Sequence, residues 1–185
     1  MNHTAFLGLL LLAYPGSAMD GGGQVGIPVQ ERQQCGVEGV DPWVAGLRDR
    51  VMTYDGLARF AVDRFGALTS CEGAVTAEFD GSRFGKVLLG FPEGVSLEVE
   101  TMPVESSVTT LRSEKGFQDG SRMRQLLEEY TGGMGLEIDW SAAEVHTEGT
   151  ELIQQYWDPD PGLNASASLI YSGDRLVAVR VSLAL

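Results

Sequence analysis

The sequence predicts an α+β protein with a mostly antiparallel sheet that helices cover on one face. The first observation is the order of patterns: a helical period and then a run of strand periods, twice along the chain. The second is that the strand segments are short and separated by tight-turn signals such as Asp80-Gly81. With 185 residues and 43% hydrophobic content, the chain is long enough to bury one core.

The first 18 residues predict a secretory signal peptide. The apolar run AFLGLLLLA at 5–13 precedes the small residues Gly16-Ser17-Ala18. This run is well short of the roughly 20 residues that span a bilayer, so a membrane anchor is the weaker alternative. The residues before the run include no Lys or Arg, which is atypical of a signal peptide. We expect a periplasmic or secreted protein with no membrane insertion after signal cleavage.

Residues 19–40 form a polar, glycine-rich segment that predicts a flexible lead, and residues 41–185 predict a single domain. The two cysteines of the chain are Cys35 and Cys71. In an oxidising compartment such a pair predicts a disulfide rather than a reactive thiol. In the chain-entropy model this bond stabilises the fold by roughly 3 to 4 kcal/mol.

A helix is predicted to begin at Asp41-Pro42, because Asp caps free amides and Pro is tolerated at the first helical position. Gly56 is a candidate break between two helices, and Gly66 a candidate end. The apolar residues up to Gly66 recur every three or four positions, and we interpret this stripe as core packing rather than a ligand site. Its members are Trp43, Leu47, Val51, Tyr54, Ala58, Ala61 and Phe65.

The following segments predict a hairpin at 74–91 and strands at 94–102 and 105–113. A further helix is predicted over Asp119 to Tyr130, ended by Gly132-Gly133. Residues 136–140 alternate like a strand, and three closing strands are predicted at 150–157, 165–171 and 175–184.

A sequence echo suggests a tandem duplication, with halves at 41–115 and 116–185. FDGSRF at 79–84 and YSGDRL at 171–176 match in residue type at an offset of 92. The alternative is chance recurrence of a turn sequence, because the two helical segments do not share this offset.

Catalytic motifs are absent from the sequence: it contains no G-x-S-x-G, H-E-x-x-H, phosphate-binding loop or C-x-x-C. His146 is the only histidine expected in the mature chain. We therefore predict no enzyme activity, no catalytic residues, no cofactor and no metal. A glycan hydrolase that uses paired carboxylates, Glu137 with Asp139 or Glu148 with Glu151, stays open as an alternative.

The stretch WDPDPGLNAS at 157–166 resembles part of a calcium loop, because oxygen-bearing residues alternate in it. An EF-hand counted from Asp158 needs Gly at its sixth position and Glu at its twelfth, where this chain has Leu163 and Leu169. We interpret the stretch as a stiff connection between two strands.

The charge distribution is the strongest functional signal. Residues 125–174 contain ten acidic residues and no Lys or Arg, within a net charge of −13. Such a field repels nucleic acid and attracts a cationic protein. Aromatic residues stand beside two of the acids, and aromatic side chains often anchor interfaces. The predicted partner-binding residues are Tyr156, Trp157, Asp158, Asp160, Glu148 and Glu151.

We therefore expect an exported acidic binding protein. Its predicted form is a periplasmic inhibitor or immunity-type protein that neutralises a cationic protein such as a cell-wall-degrading enzyme. The alternatives are the carboxylate-dependent hydrolase and a structural module of an envelope assembly.

Overall fold

A computed structural model describes residues 33–35, 40–103 and 106–184. The predicted signal peptide and most of the predicted flexible lead lie outside the described residues. The helices are α1 (Pro42–Tyr54), α2 (Gly56–Phe65) and α3 (Gly120–Gly133). The strands are β1 (Gln33–Gln34), β2 (Ser70–Phe79), β3 (Ser82–Phe91), β4 (Val95–Met102), β5 (Ser106–Ser113), β6 (Glu144–Glu148), β7 (Glu151–Trp157), β8 (Asn164–Ser172) and β9 (Arg175–Ala184).

All nine described strands belong to one antiparallel sheet, in the order β1-β2-β3-β4-β5-β9-β8-β7-β6. Each four-strand run is a meander of neighbouring strands, and the two runs meet where β5 pairs with β9. The mixed α+β class and its mostly antiparallel sheet are thereby confirmed.

Local turn chemistry accounts for the first hairpin. Asp80 and Gly81 join β2 to β3 with φ angles of 49° and 75°, the left-handed values that a type I′ turn requires. In β4, Val95, Leu97 and Val99 are buried and alternate with more exposed residues, as their sequence pattern predicts.

Asp55 divides the first helical region into α1 and α2, which confirms the predicted break. Its backbone is extended, and its carboxylate accepts hydrogen bonds from the amides of Leu57 at 2.8 Å and Ala58 at 3.0 Å, so that a second helix begins there. The inclusion of Tyr54 in the buried stripe is wrong. The chain leaves the helix directly after Tyr54, whose side chain is 58% exposed.

The main hydrophobic core joins all three helices to the sheet. Leu47, Leu57 and Leu127 of the helices belong to one buried cluster with strand residues such as Leu111 and Val179. A second, smaller cluster contains only strand residues: Ile153, Ile170, Val177 and Ala178.

A partly buried polar contact joins the α1–α2 junction to α3. The Tyr130 hydroxyl donates a 2.7 Å hydrogen bond to the Asp55 carboxylate oxygen that does not cap α2. Burial raises the pKa of Asp55, and it also raises the pKa of Tyr130.

The predicted disulfide between Cys35 and Cys71 is confirmed, with a Cα–Cα distance of 5.1 Å. The Cys35 amide also donates to the Cys71 carbonyl at 2.9 Å, so the segment of β1 is bound to β2 by both kinds of bond. Across the described part of the chain, none of the helices has the length and apolar character needed to cross a membrane.

The structure departs from the sequence patterns at three places. Strand β6 was not predicted, because all five of its residues are exposed and no buried alternation marks it. Residues 136–140 are not a strand of the sheet, although Leu136 and Ile138 are buried. Helix α3 extends to Gly133 and includes both glycines that were expected to end it.

The two similar sequences, FDGSRF and YSGDRL, form hairpins at different positions in the two runs. The turn at 80–81 joins β2 to β3, the first hairpin of its run, whereas the turn at 173–174 joins β8 to β9, the last. By element order, the counterpart of the first turn is the one between β6 and β7.

Candidate functional site

The loop after β7 is organised by its own aspartates. Asp158 accepts a hydrogen bond from the amide of Asp160 at 2.9 Å, and Asp160 accepts one from the amide of Gly162 at 2.8 Å. Each side chain thus bonds the backbone two residues onward, the geometry of an Asx turn. These two turns account for the Asp-x-Asp-x-Gly alternation that resembles a calcium loop.

Asp158 also binds a second segment of the chain to this loop. Its other carboxylate oxygen accepts the Glu137 amide at 2.7 Å, and the Asp139 amide donates to the Trp157 carbonyl at 2.8 Å. The Asp158 residue is only 8% exposed. Asp158 was predicted to bind a partner, but its carboxylate is buried and instead binds backbone amides of the two segments.

Tyr156 and Trp157 point to different surroundings. Tyr156 is 5% exposed, and its ring centroid lies 5.0 Å from that of Trp140, with the Arg124 guanidinium within 5.5 Å of both. Trp157 is partly exposed and donates through Nε1 to Glu144 at 2.9 Å. Trp157 is thus the aromatic side chain of this pair that a partner can reach.

These hydrogen bonds bring together four residues that are separated in sequence and exposed to solvent, each with a carboxylate side chain. We name the acidic corner for these residues around Trp157: Glu137, Asp139, Glu144 and Asp160. None of the four forms an ion pair with a described residue. The Ser141 hydroxyl and amide donate to Asp139 and lower the pKa of its carboxyl, so it is charged at neutral pH.

Glu148 and Glu151 face each other across the β6–β7 turn, and cations on other strands pair with both. Arg112 of β5 binds Glu151 through two hydrogen bonds of 2.6 and 3.0 Å and lowers the pKa of its carboxyl. Glu148 lies 3.7 Å from Arg180 and 3.6 Å from His146. Glu148 is the more accessible of the two.

The six predicted residues therefore separate into two sets. Trp157, Asp160 and Glu148 are accessible to a partner, whereas Tyr156 and Asp158 are buried and Glu151 is partly covered in its ion pair with Arg112. Sequence reasoning did not single out Glu144 as a site residue. The alternation of buried Leu136 and Ile138 with Glu137 and Asp139 was the available signal that these two acids face outward.

Two members of the carboxylate pairs considered for catalysis are poor candidates for the general acid. That role needs a raised pKa, whereas the carboxyl pKa is lowered at Asp139 by Ser141 and at Glu151 by Arg112. An open depression of about 550 Å³ lies between the start of α3 and the β8–β9 turn, and Asp174 is its single acidic lining residue. In the described ranges, no three His, Cys, Asp or Glu side chains are grouped so that they could hold a metal ion.

Comparison of the chain with protein-family models, with curated proteins and with solved structures finds no match.

Proposed function

We propose that this protein is an exported acidic binding protein that docks against a cationic protein through the acidic corner and Trp157. The observation that carries the proposal is the gathering of four exposed carboxylates, without basic partners among the described residues, around a partly exposed tryptophan. Unpaired charges of one sign project a field that accelerates encounter with an opposite charge. A central tryptophan supplies the apolar contact on which interfaces commonly depend.

The disulfide and the net charge support the proposed inhibitor or immunity role. The confirmed disulfide is typical of an oxidising compartment, which supports export to the periplasm or the medium. There, a protein of net charge −13 can neutralise a basic cell-wall-degrading enzyme by covering its cationic substrate-binding surface.

We also propose that the three helices cover one face of the sheet and that no described helix lies on the face of Trp157. In support, helix residues pack with Leu111 and Val179, and the strand register gives these positions the side opposite Trp157 and Glu144. A thiol introduced by Thr110→Cys should react quickly with a maleimide, whereas one introduced by Leu111→Cys should react slowly. Equal reaction rates would contradict this arrangement.

The two runs of strands also support an internal duplication. Each run follows a helical region, and β5 and β9 meet as antiparallel neighbours near the centre of the sheet, which a local two-fold relation produces. The proposal requires β2 to β5 to superpose on β6 to β9 in an experimental structure, and a failure to superpose would overturn it.

The binding test compares two variants that each lose four negative charges. The corner variant replaces the acidic-corner residues with amides: Glu137→Gln, Asp139→Asn, Glu144→Gln and Asp160→Asn. The matched control changes exposed acids of the first half of the chain, which form no ion pair with a described residue: Asp63→Asn, Asp80→Asn, Glu93→Gln and Glu114→Gln. Kd is measured against a panel of purified basic peptidoglycan hydrolases at several salt concentrations.

We expect the unmodified protein to bind a basic hydrolase and to lose affinity steeply with salt. The corner variant should bind on the order of tenfold more weakly or worse, and the control should change little. Equal losses in both variants would mean that net charge acts without a defined site. Affinity that is independent of salt would contradict the proposal.

A further inference from the structure

We infer that the outer edge of β6 accepts an extended segment of a cationic partner as an added strand, in which basic and apolar residues alternate. This inference deepens the proposed function by naming the mode of docking. It depends on that function only for the positive charge of the partner.

Strand β6 ends the sheet order, and no described strand pairs with its outer side. All five of its residues are exposed. An edge of this kind offers unpaired amides and carbonyls to another chain, and proteins recognise extended peptides by this route. The sequence of β6 contains no Pro or Lys, residues that commonly block such an edge.

The register identifies the backbone groups that face outward. Glu148 and Glu151 flank the two-residue turn at 149–150, so they form its closing hydrogen-bonded pair. Hydrogen-bonded and non-hydrogen-bonded pairs alternate along an antiparallel ladder. Val145 and Thr147, in non-hydrogen-bonded pairs with β7, therefore direct their N–H and C=O groups away from the sheet.

The side chains at this edge differ between the two faces. Glu144, His146 and Glu148 share one face by strand alternation, and no Lys or Arg occurs in β6. On the other face lie Val145 and its diagonal neighbour Leu152 of β7, which are 58% and 39% exposed. An added strand therefore fits when its Lys or Arg residues face the acids and its apolar residues face Val145 and Leu152.

In the register that pairs all five β6 residues, the same charges disfavour a second copy of this chain as the occupant. If two β6 strands paired antiparallel about His146, Glu144 of each copy would face Glu148 of the other. Like charges directly opposite each other destabilise a strand pair. A basic segment removes this repulsion.

The test measures binding of synthetic peptides to the full-length mature protein at low salt. The probe contains the core KVKVK, and its isomer KKKVV has the same composition and charge without the alternation. A third peptide carries the KVKVK core with N-methyl groups on the amides that would face β6. We expect KVKVK to bind at least about tenfold more tightly than KKKVV, and N-methylation to abolish binding.

Two protein variants separate the backbone from the charges. Thr147→Pro removes one outward amide without changing any charge and should abolish KVKVK binding, whereas Thr147→Val should retain it. Glu144→Lys with Glu148→Lys should lose KVKVK and bind EVEVE instead. Circular dichroism and thermal unfolding check that each variant is folded.

Several outcomes would overturn strand addition. Equal affinity for KVKVK and KKKVV would mean that the peptides are attracted by charge alone. Binding of a hydrolase by the Thr147→Pro variant, if it still depends on the acidic corner, would mean that the partner docks without adding a strand. Both outcomes would leave the proposed function standing. A dimer that Thr147→Pro dissociates would assign the edge to a second copy. Binding of KVKVK only after deletion of residues 19–32 would assign the edge to the chain's own leading segment.

Discussion

The two four-strand runs have similar strand order but differ in how their charges are paired. In the first run, Arg83 binds Asp41 and Glu78, and Lys86 lies near Glu98 on the adjacent strand. In the second run, Glu151 and Glu148 pair with Arg112 and Arg180, which lie on β5 and β9, the two central strands of the sheet. The acidic corner has no such pairing. The first run thus pairs its cations with acids of its own half of the chain, although other exposed acids of that half form no ion pair with a described residue. The second run differs in that its unpaired acids adjoin a partly exposed tryptophan.

The two edges of the sheet also differ, in covalent attachment and in exposure. At one end of the sheet, β1 pairs with β2 and the disulfide joins the two segments. At the other end, β6 is fully exposed and has no described neighbour on its outer side. This contrast indicates that the first edge contributes to stability and that the second is available for interaction.

The largest expected effect concerns the edge of the sheet at which the disulfide joins the segment of β1 to β2. Cys35→Ser with Cys71→Ser removes a bond across a sequence separation of 36, and the free energy of unfolding should fall by roughly 3 to 4 kcal/mol. Guanidinium unfolding of the oxidised, reduced and doubly substituted proteins measures it. The reduced protein and the variant should agree, and an unchanged midpoint would contradict a stabilising role for this edge.

The next effect concerns the support of the acidic corner. Asp158→Ala leaves the amides of Glu137 and Asp160 without their acceptor in a buried position, and stability should fall by about 2 to 3 kcal/mol. Asp160→Ala removes one exposed hydrogen bond and should cost less than about 1 kcal/mol. Chemical denaturation compares the two variants. Equal costs would show that Asp158 does not hold the corner together.

Features set by neighbouring residues could be predicted from the sequence. The helix start at Asp41-Pro42, the turn at Asp80-Gly81 and the pairing of the two cysteines depend on local geometry or on composition, and all three are confirmed. Strand β6 could not be predicted, because an exposed edge strand buries no residue and so lacks the period that marks a strand.

The site was predictable only in part, because its members meet through tertiary contacts. Residues 125–174 were recognised as acidic, but the sequence does not indicate that Glu137 and Glu144 join the loop after β7. It also does not distinguish a buried carboxylate that joins two backbone segments, as Asp158 does, from an exposed one that bonds only within its own loop, as Asp160 does. Tyr156 and Trp157 are neighbours in a strand, and strand alternation therefore directs them to opposite faces.

The smallest effect tests whether the paired acids of the second run contribute to stability through charge. Arg112 lowers the pKa of Glu151 below its ordinary value of 4.5, so the ionised form stabilises the fold above that pH, and this contribution disappears as the pH falls through the lowered pKa. Because both side chains are partly exposed, Glu151→Gln should reduce stability by about 0.5 to 1 kcal/mol at pH 7.

The dependence on pH distinguishes this charge effect from lost packing. Asp41 also has a lowered pKa, so its contribution to stability falls on acidification, whereas the raised pKa of Asp55 changes stability in the opposite direction. These two contributions are the same in the wild type and the variant. The difference in unfolding free energy between the two proteins should therefore isolate Glu151 and should approach zero as the pH falls through the lowered pKa of its carboxyl. Urea unfolding over a pH series that ends well below the ordinary value of 4.5 measures it, with Glu148→Gln as the control, because Glu148 is more exposed and lies farther from its arginine. A difference that stays constant through the whole series would mean that Glu151 acts through packing rather than charge, and the two runs would then differ less in their use of charge than their ion pairs indicate.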